Sequence, residues 1–216
     1  MQVINCFGER YIGCGSDADR LILKGTPGNA LGAYLDGADI TLYGNAQDAT
    51  GDTMNSGTIT IYGSTGDAAG YAMRGGAIFI RDNAGYRAGI HMKEYKNKPP
   101  VLVVGGVCGS FLGEYQAGGI IIVLGIGSGD RPIVGNFCGT GMHGGKIFLR
   151  TTKLPPDLPS QVCVAKATKQ QLKEIDEFIL DFCHKFGMDY EEITGSDFYI
   201  LTPNTYTPYK QMYVHN

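Results

Sequence analysis

The chain has 216 residues, of which 33 are glycine and only 18% are charged, and its formal net charge is −3 at pH 7. This mild acidity argues against a nucleic-acid-binding surface. The acidic excess belongs to residues 151–216, which carry 9 acidic and 6 basic side chains, because residues 1–150 carry 12 of each.

Residues 1–16 are expected to form an N-terminal lead-in or cap. They lack the basic start and apolar core of a signal peptide. The longest apolar run, 120–124, is far shorter than the ~20 residues that a helix needs to span a bilayer. We therefore expect a cytoplasmic chain. Widely spaced cysteines without a C-x-x-C pair indicate reduced thiols rather than a disulfide framework; they are Cys6, Cys14, Cys108, Cys138, Cys163 and Cys183.

A repeat of about 19 residues organises residues 17–150. Apolar residues recur as pairs two positions apart, at Leu21/Leu23, Ile40/Leu42, Ile59/Ile61, Ile78/Ile80, Leu102/Val104, Ile121/Val123 and Ile147/Leu149. A glycine follows each of the first six pairs, at Gly32, Gly51, Gly70, Gly89, Gly113 and Gly139. Three residues later stand Leu35, Met54, Met73, Met92, Gln116 and Met142. Such a short unit buries its apolar face only by stacking on its neighbours, which predicts a solenoid.

The alternation around each pair is typical of a β-strand, as in 57–63, where Ile59 and Ile61 share one face. The links between the strands are too short for the helix of a βαβ unit. We therefore predict an all-β, single-stranded parallel β-helix of about seven coils. Crossovers are nearly always right-handed, which favours the right-handed form. The competing left-handed hexapeptide helix would need an aliphatic residue every six positions, and the sequence lacks that period.

Two insertions interrupt the repeat, at 93–100 and 125–132. Insertions in a solenoid become loops on one face, which is often the binding face, although tolerated surface loops explain them equally well.

Residues 151–216 are predicted to cap the column. Thr168 and Gln171 form a capping-box pattern, and apolar residues follow at helical spacing up to Gly187, so we expect a C-terminal helix from about 169 to 186. Residues 198–201 and 162–164 suggest short strands. The last stretch is rich in Pro and Tyr and is expected to form an extended arm.

Candidate chemical residues all have simpler structural explanations. Cys108 and Cys138 occupy small-residue positions of the repeat, and core packing is expected for Cys163 and Cys183. His91 and His143 flank the methionine ladder on opposite sides, which disfavours a shared metal site, while His184 and His215 are expected to be exposed. Aspartates at the corners, such as Asp48 and Asp67, suit turn formation. No catalytic, cofactor-binding or metal-binding residue is therefore predicted, and a calcium-dependent carbohydrate enzyme is disfavoured.

The segments 66–80, 113–125 and 135–147 resemble the GXGXG β-helix domain at the C-terminus of the glutamate synthase large subunit. The same fold family includes a β-helical subunit of formylmethanofuran dehydrogenase. The resemblance covers roughly residues 17–150, where six copies match in register.

The resemblance implies a stand-alone subunit of a split, archaeal-type glutamate synthase. In that family the β-helix packs beside glutaminase and FMN domains, so those domains are expected on partner subunits, together with FMN and an iron–sulfur cluster. Gln2 stands where an N-terminal-nucleophile glutaminase would need Cys. The chain alone is thus expected to be non-catalytic, with neither nucleic acid nor membrane as partner, and a homo-oligomer remains open. A formylmethanofuran dehydrogenase-type complex is the alternative.

Overall fold

The computed structural model describes residues 2–18, 20–96, 98–155 and 157–204, without the side chains of Gln2 and Val3. The predicted arm beyond Asn204, including His215, lies outside the described residues.

Eight strands stack in chain order, each pairing in parallel with the next. They are β1 (Gln2–Phe7), β2 (Arg20–Thr26), β3 (Asp36–Tyr43), β4 (Ser56–Ile61), β5 (Ala77–Ile80), β6 (Val101–Val104), β7 (Ala117–Val123) and β8 (Gly144–Arg150). The register follows the repeat, since Leu21 pairs with Ile40 and Ile40 pairs with Ile59. The predicted parallel β-solenoid is confirmed, whereas its right-handed sense stays a prediction.

The seven predicted strands, β2 to β8, delimit about six turns, slightly fewer than the seven coils expected. The N-terminal lead-in also contains a strand of the stack, because Gln2 of β1 pairs with Leu21, one repeat further on. On the open edge of β1, the backbone N–H of Phe7 donates to the Glu9 carboxylate at 2.6 Å.

The interior of the column is filled by ladders of like side chains. Leu23, Leu42 and Ile61 are 0% exposed, as are the methionine-ladder residues Met54 and Met73. Single parallel bridges between successive turns form a second wall of the column, and they join Ala46, Thr65, Ala84, Cys108 and Val134. Cys108 thus occupies a position that other turns fill with alanine or threonine. Stacking on both walls gives each turn a close-packed interior that it could not form alone.

The repeat glycines turn the corners, as Gly51 shows. Its backbone φ is +69°, a left-handed conformation that glycine adopts at little cost. A Cβ atom at Gly51 would lie 2.4 Å from Cδ1 of Ile78, which projects from the turn above. The corner therefore needs glycine both for its backbone angle and for the space that the neighbouring ladder occupies.

The C-terminal part adds two antiparallel strands and three helices. The strands are β9 (Val162–Lys166) and β10 (Phe198–Pro203), and the sheet order is β8-β10-β9. The helices are α1 (Lys169–Leu172), α2 (Asp176–Phe186) and α3 (Tyr190–Thr194). The capping box at Thr168 and the left-handed Gly187 are confirmed.

The predicted helix 169–186 is wrong in one respect, since it divides into α1 and α2. Backbone bonds tighten to three-residue steps at Glu174 and Ile175, which interrupts the α-helical ladder. Ile175 is 0% exposed at this break and packs into the apolar cluster beneath the helices. The short helix α3, capped by the Asp189 side chain, was not predicted from the sequence.

The helices cover the side of the column, and strands β10 and β9 close its end. Ile179 and Phe182 of α2 belong to one buried cluster with outward-facing residues of the sheet, namely Phe79, Val103, Ile122 and Phe148. The Tyr62 hydroxyl also donates to the Lys185 carbonyl at 2.7 Å. At the end, Leu201 of β10 packs into the interior of the column, where another turn would otherwise stack.

Candidate functional site: exposed surfaces of the column

The buried cysteines are poor nucleophiles. Cys108 is 5% and Cys138 is 1% exposed. Burial raises the pKa of the Cys108 thiol, and it raises the pKa of Cys138 to about 12, so neither forms thiolate at neutral pH. Cys183 is buried as predicted, but Cys163 is exposed because its side chain points away from the core that Val162 and Val164 contact.

The histidines lie in different settings. His91 stacks on Tyr115 with the ring planes 13° apart, whereas Nδ1 of His143 lies 3.2 Å from the Gly141 carbonyl oxygen. His184 is exposed on α2, as predicted. In the part of the chain that the structure describes, no group of three or more His, Cys, Asp or Glu side chains could hold a metal ion.

The corner aspartates bind the next turn rather than their own. The Asp48 carboxylate accepts a hydrogen bond from the backbone N–H of Asp67 at 2.9 Å, and the Asp67 carboxylate accepts one from Tyr86 at 2.8 Å. Both bonds join residues 19 positions apart, which is one repeat. These side chains therefore act as staples between turns, a structural role that agrees with their predicted assignment to corners.

The insertion 125–132 lines an open cleft with a volume of about 350 Å³. Its opposite wall is the segment 150–155, with Ser196 and Asp197 beside it. Arg131 holds the insertion in shape, because its guanidinium donates to the carbonyls of Ser128 and Gly127 at 3.2 and 3.3 Å. The cleft is thus a concave surface of fixed shape, and it is lined by cationic, carboxylate and hydroxyl groups.

Arg150 fixes the base of this cleft. Its guanidinium donates to the Leu124 carbonyl at 3.0 Å and to the Ile193 carbonyl at 3.1 Å. It therefore ties the end of β8 to the residue that follows β7 and to helix α3. The exposed pair Asp130 and Lys153 faces solvent across the cleft at 4.0 Å.

The insertion 93–100 forms a second projection. Tyr95 and Lys98 make an antiparallel bridge, and Tyr95 is 52% exposed with the Lys96 ammonium 5.1 Å from its ring. A separate cavity of about 290 Å³ lies beneath, lined in part by Glu94, Pro99 and Lys146. The two insertions thus line different cavities.

A third surface consists of aromatic side chains on successive corners. We call it the aromatic corner; its members are Tyr71, Tyr86, His91, Phe111, Tyr115 and Phe137. Phe111 links Tyr86 and Phe137, with ring centroids 5.2 and 4.9 Å apart. His91 links Tyr71 and Tyr115 in a parallel row, at 5.8 and 5.3 Å. The surface is well exposed, since Phe137 is 48% and Tyr115 is 47% accessible.

One ion pair lies within the aromatic corner. The Arg87 guanidinium contacts the Glu114 carboxylate at 2.9 Å and lies 4.9 Å from the Tyr86 ring and 5.0 Å from the Phe111 ring. Arg87 thus combines a salt bridge with two cation–π contacts, which holds the rings in a fixed arrangement.

The aromatic corner was missed in the sequence analysis, although the repeat contains a signal for it. Phe111 and Phe137 both stand two residues before a repeat glycine, and His91 and Tyr115 stand two residues after one. These positions have φ between +54° and +62°, so each side chain projects outward from the bend. Large aromatic residues in a strained, outward position require a reason beyond corner formation.

The stacked column and its exposed surfaces define a β-solenoid of the kind that presents binding surfaces along its length. The sequence matches the family described as GXGXG motif over residues 3–203. The chain belongs to this family, which is linked to glutamate synthase-type proteins.

An uncharacterized protein of Methanocaldococcus jannaschii is 41% identical over 217 residues, covering 97% of this chain and 83% of the relative. The similarity therefore includes the C-terminal part as well as the column. Among the described residues, no helix has both the length and the apolar character needed to cross a bilayer.

Proposed function

We propose that this chain is the non-catalytic docking subunit of a split glutamate synthase. In this proposal, glutaminase and FMN subunits form glutamate from glutamine and 2-oxoglutarate, and FMN and an iron–sulfur cluster are bound by those partners. The observation that carries the proposal is the match to the GXGXG motif family over residues 3–203, nearly the whole chain. In this proposal the matched domain contributes architecture to the complex, because its residues form a stacked column with exposed surfaces along its length.

The geometry of the column supports a docking role. Its interior is filled by aliphatic and methionine side chains, and the thiols of Cys108 and Cys138 are buried within it. The groups available to other molecules therefore lie on the outer surface. We assign partner docking to the two insertions, because they project from the column and the hydrogen bonds of Arg131 and Arg150 fix the shape of the cleft at 125–132.

Affinity capture of the tagged chain from native lysate, followed by mass spectrometry, tests this assignment. The expected result is co-purification with a glutaminase subunit and an FMN subunit, and glutamate formation by the assembled fraction only. Glutamate formation by the isolated chain would contradict the proposal. Partners that carry tungsten or molybdenum would instead favour a formylmethanofuran dehydrogenase-type complex.

A charge reversal tests the docking surface itself. Asp130→Lys changes the rim of the cleft at a fully exposed side chain, where the 4.0 Å contact to Lys153 contributes little to stability. We expect weaker capture of a partner by this variant with an unchanged melting temperature. Asp181→Lys, an exposed position on α2, is the matched control. Equal capture of the partner by both variants would show that the cleft is not part of the docking interface.

A further inference from the structure

We propose that the cleft beside the insertion 125–132 binds the phosphate group of a small organic molecule. The inference goes beyond the docking role, because it concerns a ligand of the isolated chain and requires no partner subunit. It rests on the charges around the cleft, on backbone N–H groups that the loop leaves available, and on the size and lining of the cleft.

The arginines of the cleft carry positive charge that carboxylates leave uncompensated. The guanidinium groups of Arg131 and Arg150 donate hydrogen bonds to backbone carbonyls, and in the described part of the chain neither forms a salt bridge. A carbonyl has no net charge, so it satisfies an N–H group without cancelling the charge of the guanidinium. Each guanidinium has five N–H donors, and some of them remain for a ligand. Lys153 adds a third cation at the rim, where its side chain is 79% exposed.

The carboxylates that line the cleft offset this charge only in part. Asp197 is paired with Lys166 at 2.8 Å. Asp130 lies 4.0 Å from Lys153, and both side chains are exposed to solvent, which weakens the contact. The two aspartates thus cancel the two lysines, which leaves the two arginines and a local net charge of +2. Since the whole chain has a formal net charge of −3, the cleft is a local positive region that attracts anions.

The loop also offers backbone donors at this surface. Two tight turns shape it, in which the Ser128 N–H donates to the Gly125 carbonyl at 3.1 Å and the Arg131 N–H donates to the Ser128 carbonyl at 3.2 Å. Between them, the N–H groups of Gly129 and Asp130 have no acceptor among the described residues. No atom lies within 4 Å of the position that a Cβ atom at Gly129 would take, so a ligand can approach the backbone there. Available N–H groups in a concave turn are typical donors to phosphate oxygens.

The charge favours a phosphate group over a carboxylate. A phosphate monoester carries a charge of about −1.5 to −2 at pH 7 and has three strong acceptor oxygens. That charge matches the two uncompensated arginines, and the oxygens match the mixed set of guanidinium, ammonium and backbone donors. A carboxylate has one negative charge and two oxygens, so it would leave part of this set unused.

The size and lining of the cleft indicate that the phosphate belongs to an organic molecule. Its volume of about 350 Å³ lies within the ~300–1,000 Å³ typical of small-molecule pockets. Part of its lining is apolar, namely Pro132, Ile133, Leu154 and Pro155, and Leu154 is 40% exposed. The organic part of the ligand would contact these side chains, while the charged groups bind its phosphate.

NMR titration of the isotope-labelled chain with inorganic phosphate tests the proposal. At constant ionic strength, we expect saturable shifts of the backbone amide resonances of Gly129 and Asp130. The amide of Gly15, in an exposed turn where the N–H donates to the Ala33 carbonyl, should not shift. Titration with acetate under the same conditions compares a carboxylate with phosphate, and we expect acetate to bind more weakly.

Two exposed charges of the cleft locate the site. Lys153→Gln should weaken phosphate binding about fivefold, as the loss of one charge contact at ~4 Å in water implies. Asp130→Asn should strengthen phosphate binding, because it removes a negative charge beside the same loop. Lys24→Gln, at an exposed lysine on β2, is the matched control and should leave the affinity unchanged. Circular dichroism melts show whether each variant folds.

The outcomes separate a specific site from general attraction of anions. Shifts that grow without saturation, or that appear equally at Gly15, would overturn the proposal. Acetate binding as tight as phosphate binding would overturn the assignment of the ligand. Equal affinities of Lys153→Gln and Lys24→Gln for phosphate would show that the anion binds elsewhere. The titration uses the chain alone, so its failure is distinct from a failure of partner capture.

Discussion

Replacing Gly51 with alanine tests the account of the corners most directly. Alanine at this position meets two separate costs. Its left-handed backbone, at φ +69°, costs about 1–2 kcal/mol for a residue with a Cβ atom. The new methyl group would lie 2.4 Å from Cδ1 of Ile78, and overpacking of a close-packed interior costs about 1–3 kcal/mol more.

Gly127→Ala is the matched control. Gly127 has nearly the same backbone angle, φ +72°, but lies in the exposed insertion with no atom within 4 Å of a new Cβ. Gly127→Ala should therefore show the backbone cost alone. The difference of about 1–3 kcal/mol corresponds to a melting temperature lower by ~2–12 °C for Gly51→Ala, since a domain of this size shifts by ~2–4 °C per kcal/mol.

The melting temperatures of both variants would be measured by thermal denaturation, with the circular dichroism signal of the β-sheet as the readout. Adding Ile78→Val to Gly51→Ala removes the Cδ1 atom that the methyl group meets, so the double variant should recover part of the lost stability relative to additivity. Equal melting temperatures for Gly51→Ala and Gly127→Ala, together with additive effects of Ile78→Val, would refute the reasoning that stacked ladders restrict the corners.

Phe182→Ala should lower the free energy of unfolding by about 3–5 kcal/mol, because this ring on the buried side of α2 is 0% exposed. Leu180→Ala, on the exposed side of the same helix, should lower it by less than ~1 kcal/mol in the same urea titration. Tyr190 donates to the Asp176 carboxylate, which raises the pKa of Tyr190 to about 12 from 10.0. Folding favours the protonated phenol, so its contribution to the free energy of unfolding is complete below pH 10 and is lost as pH rises through about 12. The Tyr190→Phe variant should therefore lose less stability than the wild type between these pH values. Identical stability profiles for the two proteins over this range would contradict the assignment. Iodoacetamide near pH 8 should label the native protein at Cys14 and Cys163 only, by mass spectrometry; labelling of Cys138 before unfolding would show an accessible interior.

The parallel column was predictable because its determinants are local and repeated. Each turn carries its own apolar pair, corner glycine and ladder residue, so a register error would disrupt every turn in the same way. The first strand was missed because Gln2 occupies the position at which the other copies have an aliphatic residue. Pairing of β1 with β2 depends on backbone bonds, which do not appear in a hydrophobic pattern.

The C-terminal part was less predictable because its contacts are distant in sequence. The strand at 198–201 was expected. Its position between β8 and β9 depends on the packing of residues such as Leu201 against the interior of the last turn, which is distant in sequence. The break at Ile175 reflects packing against the side of the sheet rather than helix propensity. The aromatic corner required knowledge of which repeat positions bend outward, and only the backbone angles show that.

The two ends of the column differ, so a repeat gained by gene duplication can be accommodated more easily at one end than at the other. Among the described residues, β10 and β9 close one end of the column, while β1 is the edge strand at the other, where the Phe7 N–H donates to the Glu9 carboxylate. A duplicated copy between β2 and β4, below the strands that carry the helices, would leave the closed end intact. Each such event adds about 19 residues and lengthens the rod by ~4.8 Å. Molecules bound at opposite ends would therefore be held at a distance set by the number of copies in the gene.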